Sequence, residues 1–239
     1  MLITHDFEMP QLGNRRRTIR VFLPRNYDGN HAFPVFYMHD GQNLFEAETA
    51  FSGYWHIMET MYKMPLKRQA IIVGIDNGGG DRLNEYAPFR KRSNGGEGAA
   101  YLRFVAETLK PFIDRTYQTL PQRETTGIAG SSLGGLISLF GGLAFGDVFG
   151  KVGVMSPAVW FNPEVGKMPE KGVEPKSQFY IVASKNESKY MEATLQNLYN
   201  AFKKGGFSDE QVRVTIRDRG QHNETFWARE FRKMIEWLL

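Results

Sequence analysis

Two short stretches near the start of the chain alternate apolar and polar side chains, Phe7 to Leu12 and Thr18 to Leu23, with Gly13-Asn14 between them. A period of two fits half-buried strands and the Gly-Asn pair fits a turn, so the pattern predicts an antiparallel strand pair. Further on the pattern changes. Phe33 to Met38, Ala70 to Ile75, Val152 to Met155 and Phe179 to Ala183 are near-continuous apolar runs, as expected of strands buried on both faces. Between them apolar residues recur at helical spacing. In Ala99 to Tyr117 they are Leu102, Val105, Ala106, Leu109, Phe112 and Ile113, one face of a helix. Ser52–Lys63, Leu133–Phe145, Lys189–Gly205 and Phe226–Leu239 read as further helices, and Val212–Ile216 alternates like an edge strand. Strands alternating with helices predict a mostly parallel sheet between two helix layers, with the antiparallel pair at its N-terminal end. The length of 239 residues suits one α/β domain over residues 1–239. In open sheets of this kind ligands bind beyond the carboxyl ends of the strands. The residues just after each strand are therefore the ones to search for chemistry.

Composition narrows the choice. A net charge of +4, from 30 basic and 26 acidic residues, is too mild to predict nucleic-acid binding. The basic run Arg15-Arg16-Arg17 reads as a solvated turn before a strand. There is no cysteine, which removes disulfides, a thiol nucleophile and thiolate metal sites. No basic segment followed by an apolar one opens the chain, and no apolar run approaches ~18 residues, so neither a signal peptide nor a membrane span is predicted. A cytoplasmic protein is the expectation.

The most informative stretch is Thr125 to Leu136, which reads as a buried strand running into a helix through Gly130-Ser131-Ser132-Leu133-Gly134. This is a G-x-S-x-G pattern. A serine on a sharp strand-to-helix turn presents its hydroxyl, and the glycines let strand and helix pack closely. The helix N-terminus adds free N–H groups for a developing oxyanion. A serine hydroxyl needs a base. Of the five histidines, His5 and His31 fall in the N-terminal strands and a surface loop, and His56 falls on a predicted helix. His39 follows a central strand but precedes the serine. His222 follows the last strand and suits the base. The acid that orients it should lie between Ser132 and His222, just beyond a strand. Glu187, after the Phe179–Ala183 strand, fits better than Asp218, which reads as a turn residue; Glu224 would orient the His222 loop or cap the last helix. The second oxyanion donor beside the Leu133 N–H is expected from Gln42, where Asp40-Gly41 allows close backbone approach. Trp160 and Phe161, in a loop, together with Tyr86 and Trp227, are the candidate substrate contacts.

These residues, with Arg17 to Pro24, Pro34 to Phe45, Val73 to Asn77, Glu85-Tyr86, Met155 to Trp160 and Gly220 to Glu224, resemble the esterase D-like branch of the α/β-hydrolases. That group includes carbohydrate acetyl and feruloyl esterases, enterochelin-type esterases, S-formylglutathione hydrolases and mycolyltransferases. The resemblance covers nearly the whole chain. It implies a three-layer α/β-hydrolase sandwich with Ser132 as nucleophile, His222 as base and the Gln42 and Leu133 N–H groups as oxyanion hole. The acid segment departs from the family's Gly-Thr-x-Glu. Here it reads Ser184-Lys185-Asn186-Glu187, with the glutamate kept.

The expectation is a serine carboxylic-ester hydrolase acting on a small-molecule ester through an acyl-enzyme, with no metal and no cofactor. Short-chain esters are favoured, since no large lid insertion is visible, and the resemblance tilts the choice toward acetyl or feruloyl groups on carbohydrate. A thioester or siderophore ester is the alternative within hydrolases. Acyl transfer and a catalytically silent binding module are the alternatives outside it.

Overall fold

The computed structural model describes residues 1–239. Its centre is one eight-stranded sheet in the order β1-β2-β4-β3-β5-β6-β7-β8. The strands are β1 Leu2–Met9, β2 Arg15–Phe22, β3 Val35–His39, β4 Ile71–Ile75, β5 Thr126–Ser131, β6 Lys151–Met155, β7 Gln178–Ser184 and β8 Val212–Arg217. β2 runs antiparallel to β1 and β4, and every other neighbour is parallel. Strand parity sorts the core into two layers. Val35 and Tyr37 of β3, Ile71 and Val73 of β4, and Phe179 and Ile181 of β7 face one side, where helices Leu133–Ala144 and Met191–Lys204 pack. Phe36, Met38, Ile72, Tyr180 and Val182 face the other, under helices Ile57–Lys63 and Glu224–Leu238. This is the predicted three-layer arrangement. No helix is long and apolar enough to cross a membrane.

Several element boundaries differ from the sequence reading, each for a local reason. The N-terminal strands are longer than predicted, and Pro10–Leu12 forms a 3₁₀ turn that buries Leu12. The helix predicted from Ser52 begins only at Ile57, because His56 takes a left-handed conformation with φ 52°. The chain before it is instead tied to the β3 loop, Trp55 N donating to Asn43 O at 2.9 Å. The Ala99–Tyr117 helix is interrupted. An α-helical Gly98–Arg103 passes into a π-helical Phe104–Leu109 and back to an α-helical Lys110–Thr116. Pro111 has no N–H to continue the ordinary ladder, and the wider turn directly before it absorbs the break.

The arginine run is not a solvated turn. Arg15, Arg16 and Arg17 lie in β2, and period-two alternation turns the outer two to one face. Arg17 is buried and donates from Nη2 to both oxygens of the fully buried Glu85, at 2.8 and 3.0 Å. Arg15 reaches Glu85 at 3.2 Å and Glu97 at 2.6 and 3.0 Å. Only Arg16 stays with surface partners, Asp6 and Glu8. These pairs fasten the segment after β4, including the short helix Arg82–Tyr86, against the sheet.

His39, at the end of β3, is buried below the Ser132 turn and shares a 2.8 Å hydrogen bond between Nδ1 and the Tyr101 hydroxyl. Its Nε2 has no partner. Burial lowers its pKa from the ordinary 6.5 to about 3, with the Asp40 charge opposing the shift and Arg82 adding to it. Between those two values the unfolded chain binds a proton that the folded chain refuses. The stability from a neutral His39 is therefore complete above about pH 6.5 and declines as the pH falls. The stability advantage of wild type over His39→Gln, measured by urea denaturation, should narrow by roughly 2 kcal/mol between pH 7 and pH 5. A pH-independent difference would show that His39 is not held neutral.

Candidate active site

The turn at Ser132 is built by steric necessity. Its backbone sits at φ 57°, ψ −119°, outside the regions ordinary residues occupy. Two hydrogen bonds clamp it: Ser132 N donates to Met155 O at 2.9 Å and Ala158 N donates to Ser132 O at 3.0 Å. Glycines make room. A Cβ on Gly130 would stand 2.8 Å from the Gly134 backbone, and one on Gly135 would stand 2.7 Å from Met155 O. Ser132 itself is partly exposed at the head of helix Leu133–Ala144.

The loop after β3 faces this helix start. Asp40 takes a left-handed conformation, φ 56°, and opens the 3₁₀ turn Gly41–Asn43. Gly41 lies so close to β4 that a Cβ there would be 2.7 Å from Gly74 C and Ile75 N. The Asp40 carboxylate accepts three hydrogen bonds, two from Arg82 at 2.6 and 2.8 Å and one from Asn77 Nδ2 at 2.7 Å. The Gln42 side chain accepts from Asn77 N at 3.1 Å, which fixes the turn further. Neither the Gln42 nor the Leu133 backbone N–H donates to another backbone group. Two free donors next to a partly exposed serine can bind an anionic oxygen.

His222 and Glu187 meet across adjacent loops. His222 Nδ1 donates to Glu187 Oε2 at 2.9 Å. The Glu187 side chain is 1% exposed and that of His222 is 42% exposed, so the pair has a buried end and an open end. Glu187 closes the short helix Lys185–Glu187, whose capping box makes Ser184 N donate to Glu187 Oε1 at 2.7 Å. Ser156 Oγ donates to the same oxygen at 2.9 Å. Asp218 points away: it is 86% exposed and pairs with Lys185 at 3.0 Å. Glu224 accepts from Ser52 Oγ at 3.1 Å, whereas the helix cap is Asn223, accepting from Phe226 N. The structure contains no hydrogen bond between Ser132 Oγ and His222. It brings Ser132, Glu187 and His222 to the ends of β5, β7 and β8, on one edge of the sheet.

A cavity of about 290 Å³ adjoins His222 and Glu187, lined also by Ser156, Pro157, Trp160, Tyr190 and Met191. Trp160 is 71% exposed, and Phe161 packs edge-on against it at 5.8 Å. Two other aromatic residues do not form a substrate wall. Tyr86 is fully buried and its hydroxyl accepts from Asp40 N at 3.2 Å; the ion pairs that pull Glu85 inward carry its neighbour in as well. Trp227 is also buried. Its Nε1 donates to Ser156 Oγ at 2.9 Å and its ring stands edge-on to His222 at 5.0 Å. Ser156 was not singled out by the sequence reading, although Met155-Ser156-Pro157 directly follows a buried strand. Tyr190, just after the glutamate loop, was missed as well.

Comparison with known proteins adds family membership to this geometry. Residues 11–237 match the family described as "Putative esterase". The uncharacterized protein YbbA of Bacillus subtilis is 25% identical over 242 residues, spanning 95% of this chain and 93% of that one. The ferri-bacillibactin esterase BesA of Bacillus subtilis is 28% identical over 179 residues, 66% of this chain and 59% of that protein. A solved ferulic acid esterase superposes with a TM-score of 0.77 at 19% identity, covering 100% of this chain and 97% of the other. The sheet order, the antiparallel N-terminal strands and these neighbours make the fold an α/β-hydrolase sandwich, and the match over nearly the whole length places this chain in the esterase family.

Proposed function

We propose that this esterase is a serine hydrolase working through an acyl-enzyme, with Ser132 as nucleophile, His222 as base and Glu187 as the acid that orients it. The observation that carries the reading is the 2.9 Å Glu187–His222 hydrogen bond on the same sheet edge as the strained Ser132 turn. With Nδ1–H held by Glu187, the other ring nitrogen of His222 is left to accept the serine proton. Ser132 Oγ attacks the ester carbonyl, and the carbonyl oxygen takes up negative charge between the Gln42 and Leu133 N–H groups. His222 then returns its proton to the departing alcohol. Water repeats the sequence in the second half-reaction and frees the acid. Glu187 stays ionised throughout and stabilises the imidazolium.

For the substrate, we favour short-chain or carbohydrate-linked acetyl or feruloyl esters. The cavity beside His222 is small, and Trp160 offers a flat exposed face next to it. The similarity to a ferri-bacillibactin esterase supports a siderophore ester as the second reading. Matched acetate, butyrate, octanoate, ferulate and catecholate esters separate the two: turnover confined to the catecholate ester would favour the second.

Replacing Ser132 with Ala should leave the fold intact and lower kcat on p-nitrophenyl acetate by roughly 10⁴-fold or more. Near wild-type turnover in this variant would sink the mechanism. Glu187→Gln should cost about 10²- to 10⁴-fold, whereas Asp218→Asn should stay within about twofold; the opposite ranking would reassign the acid. Gly41→Ala pushes a methyl group into the β4 backbone and displaces the Gln42 N–H. Stability should fall by about 1–3 kcal/mol and kcat by roughly 10²-fold. Unchanged kcat would remove Gln42 from the oxyanion role.

A further inference from the structure

Ser156 takes a conformation that an L-residue seldom adopts. Its φ is 47°, in the left-handed region where glycine is the ordinary occupant. It is fully buried, and its backbone N donates to Val182 O at 2.7 Å. What a serine supplies here and a glycine cannot is a hydroxyl, and chemistry fixes the direction of each hydrogen bond it makes. The indole Nε1 of Trp227 can only donate, so at 2.9 Å the Ser156 oxygen accepts. The single hydroxyl proton then goes to Glu187 Oε1 at 2.9 Å, because an ionised carboxylate can only accept. With Ser184 N on the same oxygen at 2.7 Å, Oε1 carries two donors, and Oε2 is left to His222 Nδ1 at 2.9 Å.

We infer that Ser156 and Trp227 are positioning residues for the Glu187–His222 pair, acting as a one-way chain of donors from the Trp227 indole through the Ser156 hydroxyl to the glutamate. The chain does two things. It stops rotation of the carboxylate, so the same oxygen always faces the imidazole. It also places two aligned dipoles, positive ends toward Glu187, which offset part of the carboxylate charge and so moderate its pull on a His222 proton. The Trp227 ring also stands perpendicular to His222 with centroids 5.0 Å apart, which restricts the imidazole further. The other charged groups on the surrounding elements are Arg217 at the end of β8, Asp218 and Arg219 on the His222 loop, Lys185 and Lys189 on the Glu187 loop, Glu192 on helix Met191–Lys204, and Glu224, Arg229 and Glu230 on the first turns of the last helix. Lys185 pairs with Asp218 and Glu192, Arg217 with Glu230, Glu224 is bonded to Ser52, and none of these groups is bonded to Ser156 or Trp227.

The consequence for turnover rests on the serine-esterase reading, but the donor chain itself does not, and the test separates them. Ser156→Gly keeps the left-handed backbone without strain and deletes only the hydroxyl. A purely structural role would leave this variant at wild-type activity. The expected result is a drop in kcat on p-nitrophenyl acetate of about tenfold to a hundredfold, with KM within about twofold. The acid limb of the kcat/KM profile should move to higher pH. NMR titration of the His222 ring should show its midpoint raised by about half a unit to one unit relative to wild type. Trp227→Phe, which keeps a ring beside His222 but loses the N–H, should move the midpoint in the same direction, and it decides the matter if Ser156→Gly does not fold. A raised midpoint in an enzyme whose Ser132→Ala variant stays active would uphold the donor chain while rejecting the serine mechanism. An unmoved midpoint in both variants, or wild-type kcat in Ser156→Gly, would overturn the proposal.

Discussion

A single strained residue sets the geometry of the rest. Ser132 is held at φ 57°, ψ −119°, and it stays there because the backbones around it can approach without side chains between them. Gly130 and Gly135 meet Gly134 and Met155 at distances no Cβ tolerates. The clamp is shared with the next strand, since Met155 O and Ala158 N both bond to Ser132. Tension at the turn is therefore carried by β5 and β6 together. The chain that leaves β6 is bent in response, through Ser156 at φ 47°, and that bend delivers a hydroxyl to the glutamate arriving from β7.

The same edge shows how the fold uses charge. Asp40 with Arg82, and Glu85 with Arg17, are buried or nearly buried pairs that fasten loops rather than meet ligands. Such pairs add little net stability once desolvation is counted, yet removing one partner is costly. Their value lies in fixing where backbone goes, here the turn that carries Gln42 and the segment that follows β4. His39, beneath the elbow, is kept neutral by burial.

How much of this was legible in the sequence depended on whether the determining contact was local. The elbow could be read because a five-residue pattern specifies it. The sheet could be read because burial on two faces leaves an unbroken apolar run. His222 and Glu187 could be placed because each follows a strand, and the parallel strands end on one edge. What failed depended on partners distant in the chain. Arg17 and Glu85 are separated by 68 positions, so nothing near Arg15-Arg16-Arg17 announced that the run was a strand with a buried member. The fate of Tyr86 followed from that same pair. Trp227 falls on the predicted last helix, and nothing in that segment shows that its register turns the indole toward Ser156. The helix break before Pro111 was locally encoded, and the apolar periodicity across it concealed the change of turn.

The base proposed for the reaction, His222, is mounted beside an edge strand of the sheet. β8 is hydrogen-bonded to β7 alone, and His222 hangs from the loop that follows it, tied back chiefly through Glu187 and the Lys185–Asp218 contact. An outer strand opens at a lower free energy than the strands it borders. On warming, the outer strand and its loop are expected to separate from β7 while the Ser132 turn, in the interior of the sheet, is still intact. Under the proposed mechanism, activity is expected to be lost before the bulk of the fold melts. The state expected in between keeps most of the sheet and the Ser132 turn but has lost the His222 imidazole from beside them.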